Sequence, residues 1–571
     1  MKVSPKTPKA VEAIAPKTTP WWYWAIGAVL VLFIAFEVYG PSLNGEFLFD
    51  DSYLPFLMPG IADSPLGPGW LGTRPVLMLS YWLNYQSSGL NPYPYHVVGV
   101  LLHALNAILV GVIVRRLLGW AGEVGWTRNA LSIFGGALFL LHPLQTESVA
   151  YVASRSETLS VFFVLATYAV FIYRRGEAAT ILRIVAILVL LGLAALSKEH
   201  AAALPALFLL TDYYFITPFK FTGIRRNWKL YAPIVLGGLV AGAYIYKVLQ
   251  SAQTAGFKVK EFTPFQYLLT QFRVIWLYFR LYVLPLGQNA DWEFPISRTP
   301  LDYGAIFYGL ALLAGVVLAW RYRKQYPLAS FGYLGTLILL APTSSFVPIR
   351  DVAVERRTYL PFICLLMITV DLVRRWKAPR ATVAVAMTAV CAVAGVLSYQ
   401  RAAVWGSAYA LWEDTAAKSP TNTRARFQLA YAQWQAGKCR DAVANYEQVA
   451  KLQVPDERLL IDWAYALECD QKPDEAVAKL RDTIKAAPSA HAYSVIGMIY
   501  GKRGRAEEAL AALAEAERLD SRFEMTYVYR GNIYASQGQM PAAAAEYQKA
   551  IVINPSNQSA RDGLAMTQAR R

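Results

Sequence analysis

Up to Tyr399 the chain is a succession of apolar blocks, and beyond Trp405 the blocks give way to Ala-rich, charged segments of helical period. The apolar runs lie at Trp21–Tyr39, Tyr95–Val114, Ala130–Leu141, Leu159–Tyr173, Ile181–Leu196, Ala201–Ile216, Leu230–Leu249, Tyr303–Trp320, Leu328–Val347, Tyr359–Val373 and Ala381–Tyr399. Runs of this kind predict helices that cross a bilayer, which takes about 20 residues. Phe265–Leu286 is interrupted by Arg273 and Arg280. It is expected to lie along the membrane interface or re-enter it rather than cross.

The last third repeats itself. Gly437, Gln471, Gly504 and Gly538 are spaced 34, 33 and 34 residues apart, and Ala442, Ala476, Ala509 and Ala543 follow each by five. Gly497 and Gly531, and Tyr500 and Tyr534, recur at 34. This is the tetratricopeptide period, in which paired helices stack and bury a core that no single repeat makes. Four repeats are expected, with a half-repeat at Ala408–Lys418 before them. The fold class is therefore all-α. A polytopic membrane domain of about eleven spans (21–401) follows a basic cytoplasmic N-terminus (1–20) and precedes a repeat solenoid (402–571).

Charge gives the expected topology. The chain carries +16 at pH 7 and is 56% hydrophobic. With eleven spans and a cytoplasmic N-terminus, the cytoplasmic segments hold 21 basic and 3 acidic residues. The opposite face holds 11 basic and 13 acidic residues before the repeats. This is the positive-inside asymmetry, and it explains the basic excess better than nucleic-acid binding does. An odd number of spans puts the repeats outside the cytoplasm. Trp21–Tyr39 is long for a signal-peptide core and reads as an uncleaved span. With no ER retention tail in view, the reading leans to a bacterial inner membrane with periplasmic repeats.

The polar clusters fall on that same face. Asp50 and Asp51 follow the first run; adjacent carboxylates repel, which suits one of them to work as a base. His142 and Glu147 follow the third run, then Arg155 and Glu157. Lys198 and Glu199 follow the fifth. Arg350, Arg356, Arg357 and Tyr359 lie around the start of the tenth. Carboxylates supply a base, and arginines clamp a phosphate. There is no glycine-rich phosphate loop and no cysteine–histidine metal spacing.

Phe47-Leu48-Phe49-Asp50-Asp51-Ser52 resembles the first-loop acidic motif of the transmembrane-and-tetratricopeptide (TMTC-type) O-mannosyltransferases. Arg74-Pro75-Val76, Tyr95-His96-Val97-Val98, His142-Pro143 through Glu147, Arg155-Ser156-Glu157, Lys198-Glu199 and Glu355-Arg356 through Tyr359-Leu360-Pro361 resemble later signatures in the same order. Arg357 and Thr358 depart from the more apolar pattern there, which leaves open which arginine meets the phosphate. The resemblance implies a GT-C fold, a polyprenyl- or dolichyl-phosphate sugar as donor, and transfer of mannose or another hexose to a hydroxyl, most naturally on Ser or Thr of a protein held by the repeats.

The expected enzyme is an inverting glycosyltransferase. Asp50 or Asp51 serves as base; Asp50 is favoured, with Asp51 then orienting the sugar or acceptor. Arg356, Arg357 and Arg350 bind the donor phosphate. His142, Glu147, Arg155, Glu157, Lys198, Glu199 and Tyr359 line the substrate site. No cofactor is required, although a divalent metal remains compatible. The alternatives are a lipid or glycan acceptor on the same fold, and a non-enzymatic scaffold for envelope assembly. Partners are the lipid-linked sugar, membrane lipid and an acceptor protein, with no nucleic acid. Cys439 and Cys469 flank equivalent turns of neighbouring repeats, offset by about one helical turn. They are expected to form a disulfide.

Overall fold

The structure is a computed structural model and describes residues 21–58, 60–174, 178–251 and 254–569. The basic segment 1–20 lies outside the described residues. Among those described there are helices and turns but no strands, in keeping with the all-α reading.

The apolar runs fold into helices α1 (Trp21–Tyr39), α2 (Tyr93–Trp120), α3 (Gly125–Leu141), α4 (Arg155–Ile172), α5 (Ile181–Ala195), α6 (Leu204–Thr211), α7 (Trp228–Ser251), α8 (Pro264–Val283), α9 (Ala305–Arg321), α10 (Pro327–Leu340), α11 (Phe362–Arg374) and α12 (Arg380–Val404). Six stretches of them are long and apolar enough to cross a membrane: Ala25–Ser42, Tyr93–Trp120, Val152–Ile172, Trp228–Lys247, Asp302–Arg321 and Arg380–Val404. α5 and α10 are shorter apolar helices. Several runs differ from their expected extents. The run expected to reach Val347 ends as helix at Leu340, ahead of Pro342, which cannot donate to a continuing ladder. The tenth run starts as helix only at Phe362, after the turn that carries Glu355–Thr358. The last helix continues past residue 401 to Val404.

Contacts between loops sort them into two ends. At one end, Arg374 pairs with Glu123 at 3.0 Å, Arg375 reaches the Gln325 carbonyl at 2.5 Å, and Arg323 reaches the Tyr213 hydroxyl at 3.2 Å. At the other end, the 43–54 loop meets the 151–153 turn, and the α10–α11 loop meets Glu147. α8 stays at this second end along its length. Tyr267 donates to the Thr343 carbonyl, Gln271 to the Val352 carbonyl, and Tyr278 accepts from the Val354 amide. Its start is set by a capping box in which Thr263 Oγ1 accepts from the Gln266 amide while Gln266 Oε1 accepts from the Thr263 amide. α8 thus does not alternate ends with its neighbours, and the remaining eleven helices do.

The repeats leave from that second end. Helix pairs run Thr423–Gln435/Cys439–Leu452, Glu457–Cys469/Pro473–Ala486, Ala490–Lys502/Ala506–Leu519 and Glu524–Ser536/Met540–Ile553. Ala408–Lys418 precedes them and Gln558–Ala569 closes the array. Asn422, Asp456 and Ser489 each cap the helix that follows by accepting from its third-turn-position amide. The turn between paired helices needs a left-handed residue, met by Gly437, Gly504 and Gly538 at φ +72, +73 and +75. Gln471 takes the same conformation at φ +61 without being glycine. Gly497 and Gly531 sit where a Cβ would fall 2.6 and 2.7 Å from Leu513 and Tyr547, so glycine lets the paired helices approach. Cys439 and Cys469 are bonded, with Cα atoms 5.5 Å apart.

Candidate active site

The two aspartates of the first loop have different surroundings. They lie in a 3₁₀ turn, Phe49–Tyr53, where consecutive side chains point about 120° apart. Asp51 is buried. Its Oδ2 accepts from the Leu48 amide at 2.8 Å and its Oδ1 from the Ala153 amide at 2.7 Å. It ties the turn to the 151–154 segment, and burial pushes its pKa up to about 7 despite those two donors. Asp50 is exposed, and its own amide donates to the Tyr151 hydroxyl at 2.7 Å. The expectation that Asp51 would orient substrate gives way to a support role, because both carboxylate oxygens are engaged by backbone. Phe49, just before the pair, has φ +51, a strained conformation for a side chain of this size. Its ring packs at a tilt against Trp412 and Tyr151, with ring centres 4.4 and 6.1 Å away.

Of the three arginines expected to bind phosphate, the structure brings one to Asp50. Arg356 lines a cleft with Phe49, Asp50, Asp291, Trp292, Asp351 and Arg424. Its guanidinium is ion-paired to buried Glu147, and its amide donates to Glu147 Oε2 at 2.9 Å. A charge half sunk in protein needs such a partner. Arg357 instead donates to the carbonyls of Val352 and Asp351, at 3.0 and 2.6 Å. Arg350 is exposed and pairs with Glu261 at 3.2 Å. Both stabilise the α10–α11 loop. Glu355 also works inward, accepting from the Asn289 amide (2.6 Å), Gln288 (2.7 Å) and the Trp292 indole (3.1 Å). It thereby fixes the loop that carries Asp291.

A second charged group lies on the same end. Glu157 is ion-paired to Lys198 and stands 3.4 Å from His200. Lys198 also donates to Ser156 Oγ at 3.3 Å. Glu199 accepts two bonds from Arg74, at 2.9 and 2.8 Å. The remaining expected site residues are turned into the protein. Arg155 donates to the Ser80 and Tyr95 carbonyls and lies 4.5 Å over the Tyr81 ring. His142 Nε2 bonds the Tyr282 carbonyl at 2.9 Å and its Nδ1 accepts from the Leu144 amide. Tyr359 is fully buried against His103 and Asn106. These three hold the walls together and do not face the cleft. Among the described residues, no group of three or more His, Cys, Asp or Glu is arranged to hold a metal.

Sequence reasoning missed Trp292 and Arg424 as parts of the cleft, and Tyr151 as the group that holds the Asp50 amide beside it. None carries a motif, and each reaches Asp50 only through folding.

The tetratricopeptide-repeat family model matches residues 427–491 and 461–522, and a further TPR-repeat model matches 531–570. The Protein O-mannosyl-transferase F38B6.6 of Caenorhabditis elegans is 22% identical over 453 residues, covering 74% of this chain and 62% of its own length. Protein O-mannosyl-transferase Tmtc1 of Drosophila melanogaster is 30% identical over 188 residues, 30% of this chain and 20% of its own. The chain resembles the TMTC-type protein O-mannosyltransferases. It spans under two-thirds of the length of these relatives. Among solved structures, the TPR protein YrrB covers 27% of this chain and 80% of its own at 18% identity, with a TM-score of 0.22. The TMTC-like match reaches well beyond the repeats, since 74% coverage must include much of the helical bundle.

Proposed function

We propose that the chain is a membrane glycosyltransferase that moves a hexose, mannose by analogy with its relatives, from a polyprenyl-phosphate donor to a hydroxyl acceptor, Ser or Thr of a protein. The observation that carries this reading is the cleft shared by exposed Asp50 and Glu147-paired Arg356 at the mouth of an apolar bundle. The helices of residues 21–401 hold the donor's lipid tail, and the repeats present the acceptor.

In this scheme Asp50 takes the acceptor's hydroxyl proton. The acceptor oxygen bonds to the anomeric carbon as that carbon's bond to the phosphate oxygen breaks. The electron pair leaves with the lipid phosphate, where Arg356 offsets the gathering charge. A single displacement inverts the anomeric centre. In this scheme Lys198, Glu199, Glu157 and Arg74, along the same end, meet sugar hydroxyls. The loop charges support a non-cytoplasmic site, which in a bacterial cell is the periplasm.

The test is transfer from a labelled polyprenyl-phosphate hexose by purified full-length protein, with Asp50→Asn alongside. Acceptor-dependent release of lipid phosphate that disappears in the variant is the expected result. Donor left intact by the wild type, with every acceptor class offered, sinks the proposal.

A further inference from the structure

One wall of the cleft comes from the repeat array. Arg424, in the first turn of Thr423–Gln435, places Nε 2.7 Å and Nη2 2.5 Å from the two oxygens of Asp291. Nη2 also reaches Asp351 at 3.1 Å. Asp291 is only 6% exposed, while Arg424 itself stays about half exposed, at 49%. The surrounding seam holds Arg424 in register. Lys418 Nζ donates to the Gln288 carbonyl at 2.7 Å, Asn289 to Ser419 at 2.7 Å, and Thr421 to Glu293 at 2.6 Å.

The charges of the cleft show what this contact does. Three carboxylates, Asp50, Asp291 and Asp351, and two guanidiniums, Arg356 and Arg424, line it. Arg356 is already matched by Glu147. With Arg356 matched, Arg424 is the one cation set against these three carboxylates; without it their negative field on an anionic ligand would be unrelieved, and Asp291 would be a buried carboxylate without its cation. We propose that Arg424 is a positioning residue for the donor: by engaging Asp291 and Asp351 it keeps both carboxylates from competing for Arg356, so that the cleft admits the donor's phosphate. The inference rests on the lipid-phosphate reading above and adds that the site is incomplete without the first repeat.

The test measures binding of a polyprenyl monophosphate to full-length protein in detergent, which needs no turnover. Arg424→Ala is expected to weaken binding about tenfold, the size of one charge at this range in a partly screened site. Arg424→Lys should recover part of the loss. Adding Asp291→Asn to Arg424→Ala should restore binding towards wild type, because it removes the uncompensated charge. A merely structural clamp predicts the reverse, since the double variant lacks both partners. Unchanged binding in Arg424→Ala, or a double variant as weak as the single, overturns the inference while leaving the enzyme reading intact. A wild type that does not bind the lipid phosphate overturns both.

Discussion

The two ends of the helical bundle are both rich in buried charge, yet only one looks like a place for chemistry. At the end away from the repeats, Arg174 bonds Asn227 and faces Asp212 at 3.7 Å, while Asp212 also accepts from Tyr231 at 3.0 Å. Asp371 is shared by Arg374 and Arg375. These charges face one another, with Arg174 Nε and Nη2 and Asp212 Oδ1 left without a hydrogen bond among the described residues. At the repeat end, charges arrive from loops as far apart as Asp50, Asp291, Arg356 and Arg424, and they border open space. Buried ion pairs alone therefore do not mark a site, because structural networks carry them too. What separates the two ends is charge left facing a cleft.

That comparison can be broken, beginning with the change expected to cost transfer most. Asp50→Asn should lower turnover by roughly 10²-fold or more, as loss of a general base does, with unfolding temperature close to wild type because the side chain is exposed. A variant that retains full turnover would remove Asp50 from the mechanism.

Asp51→Asn should act through the fold. An amide presents an NH₂ to a backbone N–H, so one of the two bonds is lost, at about 1–3 kcal/mol of stability, with a smaller loss of transfer that follows the loop. Calorimetry against pH sharpens this. The folded-state pKa of about 7 lies above the ordinary carboxyl value, so the folded protein keeps a proton the unfolded chain has lost. This contribution to stability is present at low pH, falls as pH rises towards 7, and is absent from the variant.

At the opposite end, Asp212→Asn should destabilise the protein by about 3 kcal/mol or more, since it strands the buried Arg174, while transfer per folded molecule stays unchanged. Altered donor affinity in this variant would erase the distinction between the ends. The smallest effect on transfer is expected from Cys439→Ser. Denatured, unreduced wild-type protein should label at two thiols, Cys364 and Cys391, with Cys439 and Cys469 protected. Four labelled thiols would contradict the bond.

Much of the architecture was legible because it is written in periods. The 34-residue spacing of Gly437, Gln471, Gly504 and Gly538 marks turns that share a left-handed backbone, and even the odd glutamine obeys it. The run Phe265–Leu286 stood apart in the sequence through Arg273 and Arg280, whose charges a crossing helix would bury in lipid. The site was legible only in outline. Asp50 and Asp51 are neighbours in sequence, but a tight turn sends one to solvent and the other into the protein, and adjacency says nothing of that. Arg356 and Arg357 divide the same way. Arg424 was invisible because its partners lie 133 and 73 residues away.

The packing of Phe49 against Trp412 bears on engineering. The strained turn that displays Asp50 leans on a ring that belongs to the repeat side of the chain. The border between bundle and repeats is therefore a seam and not a place to cut. A chimera that exchanges repeats to redirect acceptor choice should graft beyond Arg424, keeping Trp412 through Arg424 with the bundle. A truncation before Trp412 leaves a protein whose helices are all present and whose reactive loop has lost its backing.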